Sequence, residues 1–344
     1  MAHSIRTPVC ELLGIDVPIL SVGFGFPARP ELVAAVSGAG GLGVLGGSGV
    51  PPVETARRIA RTHELTGRPF GLNLIIADLE DPNTPAEDLA YLDDQADAGL
   101  AAGIALLVLF WGPARTFVQR AHERGTRVAL QVGSVDEARA AVADGVDIVI
   151  AQGIEAGGHV RGTTSIWTLL PAVVEAVGSV PVLASGGIGD GAGIARALGL
   201  GAQGVSLGTR FVASEEAGVH DAFKRRVVAA RAGDTVYGTL FDVWWPDAPH
   251  RVLRNRIVEE WEAAGRPAPG HRPGEGTTIG TMHRPWGDTA WPRYATGMVT
   301  ADFDGDPELA PMWAGESAAL VHEIEPAATI VARLVHEAEA ALGA

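Results

Sequence analysis

Between residues 18 and about 215, short apolar, β-branched runs alternate with segments whose apolar residues return every three or four positions. The strand-like runs are 18–21, 42–45, 70–75, 104–110, 127–132, 147–151, 181–185 and 204–207. Helix-period segments fall between them at 30–40, 53–66, 85–102, 113–125, 135–144, 167–177 and 192–200. Runs apolar on both faces and separated by helices predict a parallel sheet covered by helices. Eight such units predict an α/β fold of the (β/α)8 TIM-barrel type, with a doubly wound open sheet as the competitor. Several runs end in Gly, Asn, Gln or Ser, namely Gly23, Asn73, Gln131, Gln152, Ser185 and Gly208. A barrel places its site at that end of its strands, which favours the barrel.

The pattern changes after residue 215. Six of the eight tryptophans (Trp244, Trp245, Trp261, Trp286, Trp291, Trp313) lie beyond residue 240, and a Pro- and Gly-rich stretch over 266–300 breaks the helical period. The expected division is a barrel over 1–215, a mainly helical cap or lid over 216–325, and a helix over 326–344 packing back on the barrel. The tryptophans equally fit a subunit interface, so a homodimer stays open.

Charge and cysteine content narrow the function. Lys+Arg is 26 against Asp+Glu 41, a formal charge of −15. Nucleic acid and anionic membranes are therefore poor partners, because phosphate attraction needs clustered positive charge. Lys224 is the only lysine and, within a Lys-Arg-Arg run, reads as solvated. Cys10 is the only cysteine, which removes intramolecular disulfides and Cys-pair metal sites. The first residues carry no apolar signal core and no run nears the ~18 apolar residues of a membrane span. A cytoplasmic protein is expected.

Several motif matches fail on context. Gly38-Ala-Gly40-Gly-Leu-Gly43 has dinucleotide-fingerprint spacing but follows a helix and enters a strand, the reverse of what such a site needs. Gly23-Phe-Gly25-Phe-Pro-Ala28 contains Pro27 and lacks the later acid. Both read as turn chemistry. Asp302-Phe-Asp304-Gly-Asp306 starts like a calcium loop, but Pro307 and Trp313 occupy the positions needing Gly and Glu. No H-E-x-x-H zinc frame occurs, so no metal site is expected.

Two stretches keep a chemical meaning. In the first, a strand ends at Ala151 and a Gly-rich loop carries His159 directly after Gly157 and Gly158. Glycines let backbone approach a flat ligand, and a histidine at a barrel's mouth can act as a general base. In the second, the seventh and eighth strands end in Ser185-Gly186-Gly187 and Ser206-Leu-Gly208-Thr209. Those two loops commonly hold a phosphate through backbone N–H groups, and Thr209 adds a hydroxyl. A phosphate site in a barrel without lysine-based carbonyl chemistry points to FMN.

The blocks Ala151-Gln-Gly-Ile-Glu-Ala-Gly-Gly-His159, Ala184-Ser-Gly-Gly-Ile188 and Leu207-Gly-Thr-Arg-Phe211 resemble the nitronate monooxygenase (2-nitropropane dioxygenase) family. So do Ser37-Gly-Ala-Gly-Gly-Leu-Gly43, Phe70-Gly-Leu-Asn73, Gln131-Val-Gly-Ser-Val-Asp-Glu-Ala138 and Met312-Trp-Ala-Gly-Glu-Ser317. The resemblance implies a TIM barrel holding FMN under a cap, with His159 catalytic. It implies FMN contacts from Asn73, Gln131, Gln152, Ala156, Gly157, Gly158, Ser185, Gly186, Gly187, Ser206, Gly208 and Thr209. It further implies oxidation of an alkyl nitronate, or of a nitroalkane after His159 takes its α-proton, by O2 to a carbonyl compound and nitrite. FMN-dependent enoyl thioester reductases carry a similar Glu-Ala-Gly-Gly-His segment, so an NAD(P)H-dependent reductase is the alternative, and a non-catalytic flavin-binding barrel the third. One segment departs from the family: Ser21-Val-Gly-Phe24 stands where many members read Gln-Ala-Pro-Met.

Overall fold

The computed structural model describes residues 5–343. Its barrel strands are β1 (Ile19–Ser21), β2 (Gly43–Gly46), β3 (Phe70–Ile75), β4 (Leu106–Phe110), β5 (Arg127–Val132) and β6 (Ile148–Gln152). A two-residue strand β7 (Gly158–His159) stands apart, and β8 (Val182–Ser185) and β9 (Gly204–Leu207) complete the barrel. All neighbours are parallel in the order β1-β9-β8-β6-β5-β4-β3-β2. Leu42 closes the ring: its N–H donates to Ile19 O at 3.0 Å and its carbonyl accepts from Ser21 N–H at 3.1 Å. The barrel expected from the sequence is the one observed.

Alternation along the strands sorts side chains into two layers. Leu20, Val44, Leu106, Val108, Ala129, Ile148, Ile150 and Leu183 face inward as one buried cluster, which Val9, Cys10 and Leu13 of helix Pro8–Leu13 join. That helix plugs the end of the barrel away from the site. The intervening residues, such as Leu72, Leu107, Leu109, Val149 and Val205, pack outward under the helices.

Local signals start and stop these helices. Helices Pro8–Leu13, Pro30–Gly38 and Pro52–Leu65 begin at proline, whose missing N–H costs nothing in the first turn. Ser134 accepts from Glu137 N–H at 3.2 Å while Glu137 reaches back to Gly133 N–H at 2.7 Å, a capping pair opening helix Val135–Asp144. The last helix, Ala327–Gly343, lies against Gly191–Gly199 and Pro30–Gly38. Buried Arg210 pairs with Glu325, which also accepts from Arg333 at 2.6 Å, and so ties that helix to the barrel.

Residues 216–325 depart from the mainly helical cap expected. They hold two helices, Asp221–Ala229 and Arg256–Ala263, but also two small antiparallel sheets. One joins β10 (Thr235–Gly238) and β11 (His250–Leu253) to β7; the other is β13 (Thr289–Pro292), β12 (Thr278–Met282) and β14 (Phe303–Gly305). Apolar runs here are too short for a helix and are cut by Gly and Pro, so hairpins bury them better. Lys224 also differs from expectation. It is buried, donating Nζ–H bonds to the carbonyls of Ser214 (2.7 Å) and Glu215 (3.0 Å), and burial lowers its pKa. Its position on the inner face of helix Asp221–Ala229 outweighs the charged neighbours. Among the described residues no helix is long and apolar enough to cross a membrane.

The glycines at 38–43 are structural in two distinct ways. A Cβ on Gly43 would lie 2.3 Å from Val33 O, so β2 and helix Pro30–Gly38 touch through backbone there; one on Gly38 would meet nothing within 4 Å. Gly43→Ala should therefore lower the melting temperature, costing about 1–3 kcal/mol. Gly38→Ala should be neutral or stabilising by up to about 1 kcal/mol. Equal effects in thermal melts would contradict this reading.

Candidate active site

Near the C-terminal strand ends the inward layer turns polar. Asn73, Gln131, Gln152, Ser185 and Ser206 continue the inward alternation above the aliphatic residues, and Gln152, Ser185 and Ser206 are direct neighbours across β6, β8 and β9. They line a cavity of ≈ 750 Å³, within the usual range for ligand sites of about 300–1,000 Å³. Ala156, Gly157, Gly158, His159, Gly186, Gly187, Gly208 and Thr209 line it too, so every site residue expected from the sequence meets in one place. Val22, Gly23 and Phe24 of the departing segment also lie on this wall. Trp244, Trp245, Arg284, Trp286, Trp291 and Trp313 cover the cavity from the C-terminal extension.

His159 owes its position to that extension. β11 takes the Gly158-His159 segment into its own sheet, pairing His250 with His159 and Arg251 with Gly158. Gln152 braces the same turn, its Nε2 donating to His159 O at 2.9 Å and its Oε1 accepting from Arg161 N–H at 3.3 Å. Gln152 thus reaches the cavity with both ends of its amide occupied. Glu155 accepts from the Ser165 hydroxyl and from Ile166 N–H at 3.0 Å, at the start of helix Ile166–Val177.

The glycines of this loop serve the protein before any ligand. A Cβ on Gly157 would stand 2.3 Å from Gly315 N, and one on Gly315 2.5 Å from Glu155 O, so two backbones touch. Gly158 (φ +72°), Gly186 (φ +95°) and Gly187 (φ +70°) adopt left-handed conformations. Gly208 is different. A Cβ there would meet only Val22 at 3.8 Å, which leaves its cavity side open. Thr209 Oγ1 accepts from Gly315 N–H at 2.9 Å and keeps its own hydroxyl hydrogen to donate.

The His159 ring lies between Trp245 (centroids 4.2 Å, 34° between planes) and Trp313 (5.2 Å, 39°), with His250 edge-on at 5.8 Å. Its Nε2 is buried without a hydrogen-bond partner. Burial, and secondarily His250, push the His159 pKa from 6.5 down to about 3, so the imidazole is neutral at pH 7. His250, which the sequence did not single out, is neutral as well, its pKa lowered by burial to about 4. Its Nδ1 donates to Ala248 O at 2.9 Å while its Nε2 accepts from Phe241 N–H at 3.2 Å. Only its pairing with β7 reveals its importance.

The site fits a flavin mononucleotide in kind. Open backbone at Gly208 and a donating Thr209 hydroxyl suit the phosphate. Amide and hydroxyl groups from Asn73, Gln131 and Ser185 suit a planar ring's polar edge, and the His159 side of the cavity lies beside them.

Two imidazoles held neutral give folding a pH dependence. Both bind protons in the unfolded chain below about 6.5 and resist doing so when folded. The stability they confer is complete above pH 6.5 and is lost as pH falls toward 4 and then 3. Melting temperature should fall across that window, and His159→Phe should flatten the fall. An unchanged slope in the variant would contradict the buried neutral imidazole.

The nitronate monooxygenase family model matches residues 6–337. A Mycobacterium tuberculosis relative, "(3aS,4S,5R,7aS)-5-hydroxy-7a-methyl-1-oxo-octahydro-1H-indene-4-carboxyl-CoA dehydrogenase", is 37% identical over 264 residues, covering 76% of this chain and 70% of its own. FabK from Thermotoga maritima superimposes with TM-score 0.77 at 30% identity, covering 98% of this chain and 97% of that one. Nitroalkane oxidase from Streptomyces ansochromogenes does so with TM-score 0.72 at 28% identity, covering 97% and 98%. With the family matched over nearly its whole length, this chain belongs to the nitronate monooxygenase family of oxidoreductases.

Proposed function

We propose that this protein is an FMN-dependent oxygenase that converts alkyl nitronates and O2 to a carbonyl compound and nitrite. The observation that carries the reading is the unpartnered, buried Nε2 of His159, held between two tryptophans above the polar ends of the barrel strands. Bound FMN supplies the electron relay between nitronate and O2. Gly186, Gly187, Ser206, Gly208 and Thr209 hold its phosphate, Asn73, Gln131 and Ser185 address its ring, and Gln152, Ala156, Gly157 and Gly158 shape the loop beside it. Trp245 and Trp313 keep water from His159.

The depressed basicity of His159 bears on which substrate form is used. A nitronate arrives already deprotonated and needs only a hydrogen bond from a neutral imidazole. A neutral nitroalkane must first give a proton to an imidazole whose charged form burial opposes. Nitronates are therefore the better substrates, and His159 is the base for the slower nitroalkane reaction.

FMN-loaded protein should consume O2 with a short alkyl nitronate in the absence of NADH. His159→Ala should lower kcat/KM for the neutral nitroalkane by roughly 10²–10⁴-fold while affecting the nitronate far less. Unchanged nitroalkane turnover would remove His159 as base. Gly208→Val should leave the apoprotein's melting temperature nearly unchanged yet weaken FMN binding at least tenfold; undiminished FMN affinity would move the phosphate elsewhere.

The likenesses to the carboxyl-CoA dehydrogenase and to FabK support a second reading, an FMN- and NAD(P)H-dependent reductase of an enoyl thioester. Flavin bleaching by NADH under argon, with no nitronate-dependent O2 uptake, would favour it.

A further inference from the structure

Behind Trp245 stands an aromatic residue that the cavity does not reach. Trp111 follows β4 and lies outside the cavity lining, yet its ring meets that of Trp245 edge-on at 5.1 Å, and Trp245 in turn lies on His159. Trp245 sits at the tip of the segment joining β10 to β11, between exposed Trp244 and exposed Pro246. The base of that segment is pinned by backbone, with Val243 N–H donating to Tyr294 O at 3.1 Å and Val160 N–H to Pro249 O at 2.8 Å. At the tip, the Trp245 ring rests between two others: His159 on the cavity side and Trp111 away from it.

Trp111 holds its place against backbone preference. Its φ is +68°, in the left-handed region that suits glycine and costs a bulky residue. The turn imposes this conformation. A Cβ on Gly112 would lie 2.6 Å from Ile76 O, just beyond β3, and Ile76 N–H donates to Phe110 O at 2.9 Å. An indole kept where glycine would fit without strain points to a use for the ring. A second set of contacts fixes that ring. The Arg161 guanidinium lies 5.0 Å from its centroid, and Arg161 is itself held by Glu80 through bonds of 3.0 and 2.8 Å and by Glu137. Glu80 ends the turn Ala77–Glu80 after β3, Glu137 opens helix Val135–Asp144 after β5, and Arg161 stands two residues beyond His159. Three barrel loops thus converge on the one indole that also touches Trp245.

We propose that Trp111 is a positioning residue of the active site: it backs Trp245, keeps that indole against the His159 ring and so keeps water from the base. Without the Trp111 ring, Trp245 tilts outward and water reaches His159. This rests on the reading of His159 as the base and adds what holds its shield in place. The charged groups nearby leave burial in control of His159. Arg161 is matched by Glu80 and Glu137, Arg251 of β11 by Glu316 at 3.2 Å, and Asp242 by Arg272 at 2.8 Å, while His250 adds to the effect of burial. The basicity of His159 therefore reports how dry its surroundings are.

The test is an NMR titration of histidine-labelled, FMN-loaded protein, with the His159 signal assigned by its loss in His159→Phe. Trp111→Gly removes the ring and suits the left-handed backbone, so the turn keeps its shape; Trp111→Phe keeps a ring. In wild type His159 should show no titration above about pH 4.5. Trp111→Gly should raise its pKa by at least about one unit toward 6.5, a tenfold gain in proton affinity, and Trp111→Phe should stay closer to wild type. Trp245→Ala should give the same rise, and adding Trp111→Gly to it should give no more, because Trp111 acts through Trp245. Turnover should follow: in Trp111→Gly, kcat/KM for a neutral nitroalkane gains an acid limb at the raised pKa, which a merely structural role would not create. An unshifted His159 in Trp111→Gly, shifts that add in the double variant, or a Trp111→Phe shift as large as that of Trp111→Gly would each overturn the proposal. Loss of flavin or a collapsed melting temperature in Trp111→Gly would mark Trp111 as structural and overturn it too. If the shifts appear as expected while wild type turns over neither nitronate nor nitroalkane, the positioning of Trp245 stands and the nitronate reading fails.

Discussion

The site depends on one short piece of β-pairing. When β11 draws Gly158 and His159 out of a barrel loop and into its own sheet, the extension stops being an appendage. The same segment is held from below by Gln152 and from the side by the backbone contact of Gly157 with Gly315. Arg251 of β11 donates to Ile154 O at 3.1 Å and 3.0 Å through two nitrogens, a further tie between strand and loop. These contacts place an imidazole where nothing in the protein satisfies its Nε2. A buried polar atom left unpaired costs about 1–3 kcal/mol, which the rest of the fold must offset.

Electrostatics follow from the same construction. Under the proposed function a chain of net charge −15 has to hold an anionic cofactor, and the strand-end loops offer the means locally: open backbone at Gly208 and one hydroxyl at Thr209. Around His159 the surroundings are aromatic, and burial keeps the histidine neutral. At Arg284 the cavity carries a cation stacked on Phe26, with Asp302 as its counter-charge.

Much of this was legible in the sequence. The eight strands were visible because each is apolar on both faces, and the polar residues closing β3, β5, β6, β8 and β9 stood out against that background. His159 and the two strand-end loops followed. Their partners were less visible. That Gly157 is a glycine because Gly315 lies against it depends on a contact between residues far apart in the chain, which local pattern does not encode. His250 sits in a short strand with no motif, and Lys224 looked solvated because its charged neighbours gave no sign of which helix face turns inward. The extension looked helical for a similar reason: hairpins this short leave too few alternating positions to register.

The central claim is that this cavity brings a nitronate to flavin directly, with His159 beside it. Rapid anaerobic mixing of FMN-loaded protein with an alkyl nitronate, monitored by visible absorbance, tests it most simply. The oxidised flavin band should fall without any nicotinamide present and return when O2 is admitted. A band that is unmoved by nitronate but bleached by NADH would contradict the account.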